Sequence, residues 1–151
     1  MAIIDIIALI FIGFSAFQGF RSKTGTQVWA LIALLAGVVL ASLLTPSFSN
    51  YLNFISDPSL RSAFTFVIIF ILVHQGIQFL AQLFKLNFSL GAFDPLGGLL
   101  FAIVESSLFV GIIGLALMKV HEVRFLVENS QIVSKLAKIA QSVIISLGAK
   151  F

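Results

Sequence analysis

The stretch LGGLLFAIVESSLFVGIIGLALM, residues 96–118, decides the class of fold. Its residues are apolar or small, with the single exception of Glu105 near the middle. An α-helix needs roughly 20 such residues to cross the hydrocarbon core of a bilayer, which is about 30 Å thick. The stretch therefore predicts a membrane-spanning helix that carries one carboxyl group inside the membrane.

Three more stretches of the same character precede it, at residues 2–20, 28–45 and 62–84, and charges or prolines stand in the breaks. Of the 151 residues, 60% are hydrophobic and only 10% are charged, whereas soluble domains are roughly half hydrophobic and about a quarter charged. A soluble domain of this size exposes about a third of its surface and could not bury 17 phenylalanines. We therefore predict an all-α, polytopic membrane protein with four transmembrane helices. Their short connections predict that consecutive helices are antiparallel neighbours.

The first apolar stretch could also be read as a secretory signal peptide. It lacks the basic start of such a peptide, carries the acidic Asp5 instead, and no Ala-x-Ala site follows it. We predict that it is retained as the first transmembrane helix.

The tail after Met118 has a different pattern. Between residues 130 and 147 apolar side chains recur with helical period, while Lys135 and Lys138 share the opposite side with serines and glutamines. This pattern is typical of an amphipathic helix that lies at the interface on anionic lipid or docks on a partner. We therefore divide the chain into a transmembrane domain, residues 1–118, and a tail with an interfacial helix, residues 119–151.

Small residues predict where the helices touch. They recur every four residues on the second and fourth helices. The two sets are Ala33, Gly37 and Ala41, and Gly98, Ala102 and Ser106. Because helices in lipid associate by close van der Waals approach, small residues favour contact at these faces. The contact is either packing within one chain or a face for a homo-oligomer.

Polar side chains inside the predicted spans form a second pattern. The third helix carries His74, Gln75, Gln78 and Gln82 on one narrow arc of its surface. Counted from the connection between the third and fourth helices, His74 and Glu105 lie at matching depth, about ten residues away on each side. Such a cluster can hold helices together, form a proton or solute pathway, or bind a partner. The sequence leaves these three roles open.

Signals for catalysis, metals and nucleic acid are missing. The sequence has no Gly-x-Ser-x-Gly and no His-Glu-x-x-His, and GFRSKTG at residues 19–25 lacks the Gly-Lys-Ser/Thr order of a phosphate loop. Cysteine is absent, and the basic residues behind the net charge of +3 are scattered rather than clustered. His74 and His121 are predicted to lie too far apart for a metal site. We predict no enzyme activity, no cofactor, no metal and no nucleic-acid binding.

Two stretches carry a resemblance to the colicin V production (CvpA) family of bacterial inner-membrane proteins. Residues 4–42 resemble the opening of the family, and residues 93–106, FDPLGGLLFAIVES, resemble its Asp-Arg-x-x-Gly-x-x-x-Gly-x-x-Arg-Gly stretch. The matching positions are Asp5, Gly19, Arg21, Gln27, Gly37, Asp94 and Gly98. The chain departs from the family at Lys23, where Gly is usual, and at Pro95, Ala102 and Glu105, where the family has Arg, Gly and Arg.

The resemblance covers about residues 3–118 and implies four transmembrane helices. It also implies a role in the production or export of colicin V and in envelope physiology. We read this as a non-enzymatic role exercised through helix and partner contacts. The alternative is a small oligomeric channel or transporter with a polar path along the third and fourth helices. The partners expected are the bilayer, a second copy of the chain, and secretion or envelope proteins.

The orientation follows from the first helix, whose C-terminal end carries Arg21 and is followed by Lys23. Basic residues favour the cytoplasmic side, and the first helix usually dominates. Family members fused to an external protease also imply an outer C-terminus. We therefore predict an inner-membrane protein with both termini in the periplasm.

Overall fold

A computed structural model describes residues 2–149, which contain α-helices and short turns and no β-strand. Four helices are long and apolar enough to cross a membrane. They are α1 (Ile3–Arg21), α2 (Thr24–Phe48), α3 (Pro58–Leu83) and α4 (Asp94–Met118). Two shorter helices follow, α5 (Arg124–Glu128) and α6 (Val133–Ser146). The prediction of an all-α membrane protein with four spanning helices is confirmed.

The helix ends differ from the predicted ones where local chemistry outweighs hydropathy. α2 continues past Pro46 into a 3-10 turn at Ser49–Leu52, although the proline was expected to end it. Proline keeps a helical φ, but it loses its N–H and its ring crowds the carbonyl of the residue four positions before it, so a helix passes through it at a cost of about 3 kcal/mol. α3 begins at Pro58 because the Asp57 side chain accepts the Ser59 N–H at 2.9 Å and the proline takes the first helical position.

The order of the helices corrects one expectation. α4 lies in the middle, with α1 on one side and α2 on the other, while α3 packs mainly on α2 and also touches α4. α1 therefore packs on α4 and not on its neighbour in sequence, α2. The reason is the close approach of α1 to α4: a Cβ added to Gly19 would lie under 3.0 Å from the Ala102 side chain and the Gly98 backbone. Two helices that present small residues to each other can approach more closely than either approaches a bulkier face.

We call the end of the bundle that holds the start of α1 and the end of α4 the terminal side, and the opposite end the connection side. The main core lies between α2, α3 and α4 and includes Leu34, Phe70 and Ile112. Gly37 faces Phe70 closely, since an added Cβ would lie 3.1 Å from the phenylalanine ring.

The tail helix α6 packs on the bundle. A Cβ on Gly114 would lie 2.9 Å from Val133, and one on Gly111 would lie 2.9 Å from the Ala140 Cβ, so α6 rests on two glycines of α4. The start of α6 joins a small cluster with Ala8, while its end joins the main core through Ile144. Its apolar side is therefore directed at α4, and its polar side, with both lysines, is exposed. The placement of this helix at the membrane interface stays a prediction.

Candidate functional site

The carboxylate of Asp5 joins the first helix to the tail. The residue is completely buried, with 0% of its surface exposed. Its two oxygens accept one hydroxyl and four backbone N–H groups. The donors are the Ser130 hydroxyl, Ile132 at 2.9 Å, Gln131 and Ala2 at 3.2 Å, and Val133 at 3.4 Å.

This arrangement makes Asp5 the acceptor for the N-terminus of α6. The first N–H groups of a helix have no partner within it, and a negative charge there also interacts favourably with the helix dipole. Ser130 adds a local cap, because its hydroxyl accepts the Val133 N–H at 2.8 Å. Asp5 also caps its own helix. The bond from Ala2 does this, but most of its bonds serve a helix more than a hundred residues further along the chain.

Asp94 performs the same task on the connection side. It accepts the Thr24 N–H at 3.0 Å, the Leu90 N–H at 2.8 Å and the Ser89 hydroxyl. Since Thr24 is the first residue of α2, the Asp94 carboxylate holds the start of α2 against the start of α4. Asp94 does not cap its own helix: the residue preceding α4, Phe93, supplies no side-chain cap, and Asp94 itself is helical.

The two stretches that carry the family resemblance meet on the connection side. A Cβ on Gly98 would lie under 3.0 Å from the Gly19 carbonyl oxygen, and one on Gly97 would lie 2.9 Å from the Thr24 methyl. Gln27 donates to the Ser22 hydroxyl at 2.9 Å and steadies the turn between α1 and α2. The remaining matching positions lie outside this contact, with Arg21 exposed over the Phe17 ring and Gly37 in the main core.

The third feature is a histidine–glutamate pair within the spans. His74 Nε2 lies 3.1 Å from Glu105 Oε1, and the two side chains are only 6% and 14% exposed. The Gln78 amide group lies 3.0 Å from the same nitrogen. The His74 ring also packs against two phenylalanines, with centroids 6.0 Å from Phe70 and 5.8 Å from Phe109. The structure therefore brings together His74, Gln78 and Glu105, while Gln75 and Gln82 are exposed on the surface of the chain.

The pair can hold one proton between two groups inside the membrane. With a neutral histidine that carries its proton on Nε2, the ring donates to the carboxylate. With a proton on each ring nitrogen, the histidine is positively charged and its contact with the carboxylate becomes an ion pair. The proton can pass directly between His74 Nε2 and Glu105 Oε1, because these two atoms lie within hydrogen-bond distance.

The profile of the family described as Colicin V production protein matches residues 4–141. The chain belongs to the colicin V production protein family. No curated protein and no solved structure matches it. The match extends to Gln141 within α6, beyond the stretch of about residues 3–118 on which the resemblance was read. Asp5 and the first part of the tail helix that it holds, residues 133–141, thus both lie within the region that this colicin V production family protein shares with its family.

Sequence reasoning missed the donors around both carboxylates. Ser130 stands just before the periodic run of α6 and is a recognisable helix-start signal. Nothing in the sequence pointed from Ser130 to Asp5, or from Thr24 to Asp94. Within residues 2–149 no three His, Asp or Glu side chains lie close enough together to hold a metal ion.

Proposed function

We propose that this protein is a non-enzymatic component of the bacterial inner membrane that supports the production or export of colicin V-like toxins and envelope homeostasis. It acts through contacts of its helices and its tail with partner proteins. The family match supports the biological role, because the family is that of the colicin V production proteins.

The observation that carries the mechanism is the Asp5 carboxylate at the start of α6. A carboxylate that already accepts five hydrogen bonds is a poor base, so this acid serves to position a helix. The Asp94 carboxylate likewise accepts three hydrogen bonds and holds the start of α2. The result is a tail helix fixed across the bundle, with Lys135 and Lys138 directed outward on the terminal side as a constant surface for partners.

The test introduces the Asp5→Asn variant into cells that make colicin V and lack their own family member. The amide keeps one acceptor oxygen but loses the charge and the second acceptor, so we expect less secreted toxin at an unchanged amount of protein in the membrane. Asp57→Asn is the matched control, because that carboxylate also caps a helix on the terminal side but holds only its own helix.

Hydrogen exchange on the purified variants separates tail release from general unfolding. In the Asp5→Asn variant the amides of residues 133–146 should exchange faster while those of α2 and α3 keep wild-type rates. Wild-type secretion by a variant whose tail has been released in this way would refute the proposed role of the fixed tail.

The His74–Glu105 pair favours a second candidate function, a small oligomeric channel or transporter with a polar path along α3 and α4. An ionisable residue inside a membrane helix is costly and often marks a pathway. The pair has the geometry to pass a proton, and Gln78 beside it extends the polar surface toward the connection side.

Proton flux into proteoliposomes distinguishes the two functions. Glu105→Gln keeps the hydrogen-bonding shape but cannot titrate, and Glu122→Gln is its control on the exposed surface. Flux that is present in wild type and lost only in Glu105→Gln would favour the pathway. Intact toxin secretion by Glu105→Gln would favour the non-enzymatic role.

A further inference from the structure

A cavity of about 620 Å³ opens on the terminal side between the end of α4, α5 and the end of α6. Part of its lining is apolar, with Leu115, Met118 and Ile144 belonging to α4 and α6. The cations Lys119 and Arg124 also line it. The cavity therefore combines an apolar surface with positive charge.

The position of the cavity along the membrane normal follows from α4. This spanning helix ends at Met118, so Lys119 is the first residue beyond the apolar span and lies at the level of lipid headgroups. Burial lowers the pKa of the Lys119 amine, which means that its charged form lacks part of the solvation that water provides.

Arg124 can contribute to the same anion. Its Nε donates to the Glu128 carboxylate at 2.5 Å. A guanidinium has five N–H donors, so this bond leaves its two terminal amino groups for another acceptor. Planar pairs of such donors match the oxygens of a phosphate.

We propose that this cavity binds an anionic phospholipid, with its phosphate between Lys119 and Arg124 and its acyl chains against Leu115 and Ile145. A phospholipid with a cationic headgroup would place a second positive charge beside the lysine, so the site prefers a headgroup with net negative charge. The bound lipid secures the end of α6, while Asp5 secures its start. This inference does not depend on the proposed role in toxin production.

The test measures lipids retained by the full-length protein after extraction from nanodiscs made of equal amounts of phosphatidylglycerol and phosphatidylcholine. Native mass spectrometry counts both lipids on each protein. A basic residue near the membrane surface contributes about fivefold in affinity for anionic lipid, so the pair predicts a preference of roughly 25-fold. We expect this preference in wild type and its loss in the double variant Lys119→Gln with Arg124→Gln.

The double variant Lys135→Gln with Lys138→Gln is the matched control, because it removes the same charge from exposed positions that do not line the cavity. An equal loss of preference in this control would overturn the specific site in favour of general surface charge. Equal retention of both lipids by wild type would overturn the proposal outright. Arg124→Gln alone, on the exposed α5, gives the same answer with about a fivefold loss if the double variant does not fold.

A final arm distinguishes a lipid from a soluble anion. Glycerol phosphate carries the anionic headgroup without acyl chains, and we expect no change in the melting temperature of the detergent-solubilised protein when it is added. Phosphatidylglycerol should raise that temperature in wild type and leave it unchanged in the cavity variant. Stabilisation by glycerol phosphate equal to that by the lipid would show a soluble anion site and contradict the proposal.

Discussion

The contact between α1 and α4 gives the sharpest test of the fold, through the substitution Gly19→Ala. The added Cβ would lie under 3.0 Å from the Ala102 side chain and from the Gly98 backbone. Neither group is the end of a flexible side chain, so the two helices must separate. Overpacking of this kind costs about 1–3 kcal/mol, which exceeds the gain of about 0.5–1 kcal/mol from replacing a helical glycine by alanine.

Gly13→Ala is the matched control on the same helix. Nothing lies within 4 Å of a Cβ at that position, so only the helix-propensity gain remains. Both variants share this gain, so they should differ in stability by the overpacking cost alone, about 1–3 kcal/mol. For a chain of this length this corresponds to a difference of about 2–12 °C in melting temperature, with Gly19→Ala the lower.

The fluorescence of Trp29, the single tryptophan, can follow thermal unfolding in detergent. Its indole N–H donates to the Leu86 carbonyl at 3.0 Å, so it reports the connection side, where α1 and α4 meet most closely. Coincident melting of the two glycine variants would refute the close approach of α1 and α4 at Gly19.

Three further outcomes are expected from other parts of the fold. Glu105→Ala and His74→Ala should each lower the free energy of unfolding, because each leaves a buried polar group unpaired. The double variant should lose less than the sum of the two single losses. Additive losses in a double-mutant cycle would exclude direct coupling. Gly37→Leu should lower the melting temperature because a phenylalanine ring lies 3.1 Å from the new Cβ, and wild-type melting would place that residue toward lipid. In intact cells a membrane-impermeant maleimide should label the Lys138→Cys variant and not the Lys23→Cys variant. The chain has no cysteine of its own, so only the introduced thiol can react. The reverse labelling pattern would place the termini in the cytoplasm.

The spans could be predicted from the sequence because their cause is local. A helix that crosses lipid needs a continuous apolar run, and charges and prolines interrupt the runs in this chain. The exact ends could be predicted less well. Asp57 before Pro58 is a local start signal that lengthens α3 beyond its apolar run, whereas the start of α2 at Thr24 is held by Asp94 from the far part of the chain.

The neighbour of α1 could not be read from the length of its connection, although α2 and α3 are neighbours as the short connection between them predicts. The turn between α1 and α2 is short, yet the two helices diverge from it, and α1 packs on α4. What decides the contact is a match of small surfaces, Gly19 on one helix with Gly98 and Ala102 on the other. The small residues of α4 were visible in the sequence, but their partner on α1 was not assigned.

A long-range polar contact can be predicted from the sequence only when the depth of both residues in the membrane can be counted from the same connection. His74 and Glu105 lie on helices joined by one connection, and since a helix rises by a constant 1.5 Å per residue, equal counts give equal depth. The structure places these two side chains 3.1 Å apart. Asp5 and Ser130 share no such measure, because three spans and the irregular segment after α4 separate them.

The tail shows what an amphipathic pattern does and does not specify. Periodicity predicts an apolar side, and both lipid and protein can cover such a side. The residue sizes carry more information: Ala137 and Ala140 lie at the centre of the buried side of α6, opposite Gly111 and Gly114 of α4. Alanines add little to insertion into lipid but allow two helices to approach closely. A small-residue stripe on an amphipathic tail thus favours docking on a spanning helix, and the bulky Ile145 lies outside that contact, 66% exposed.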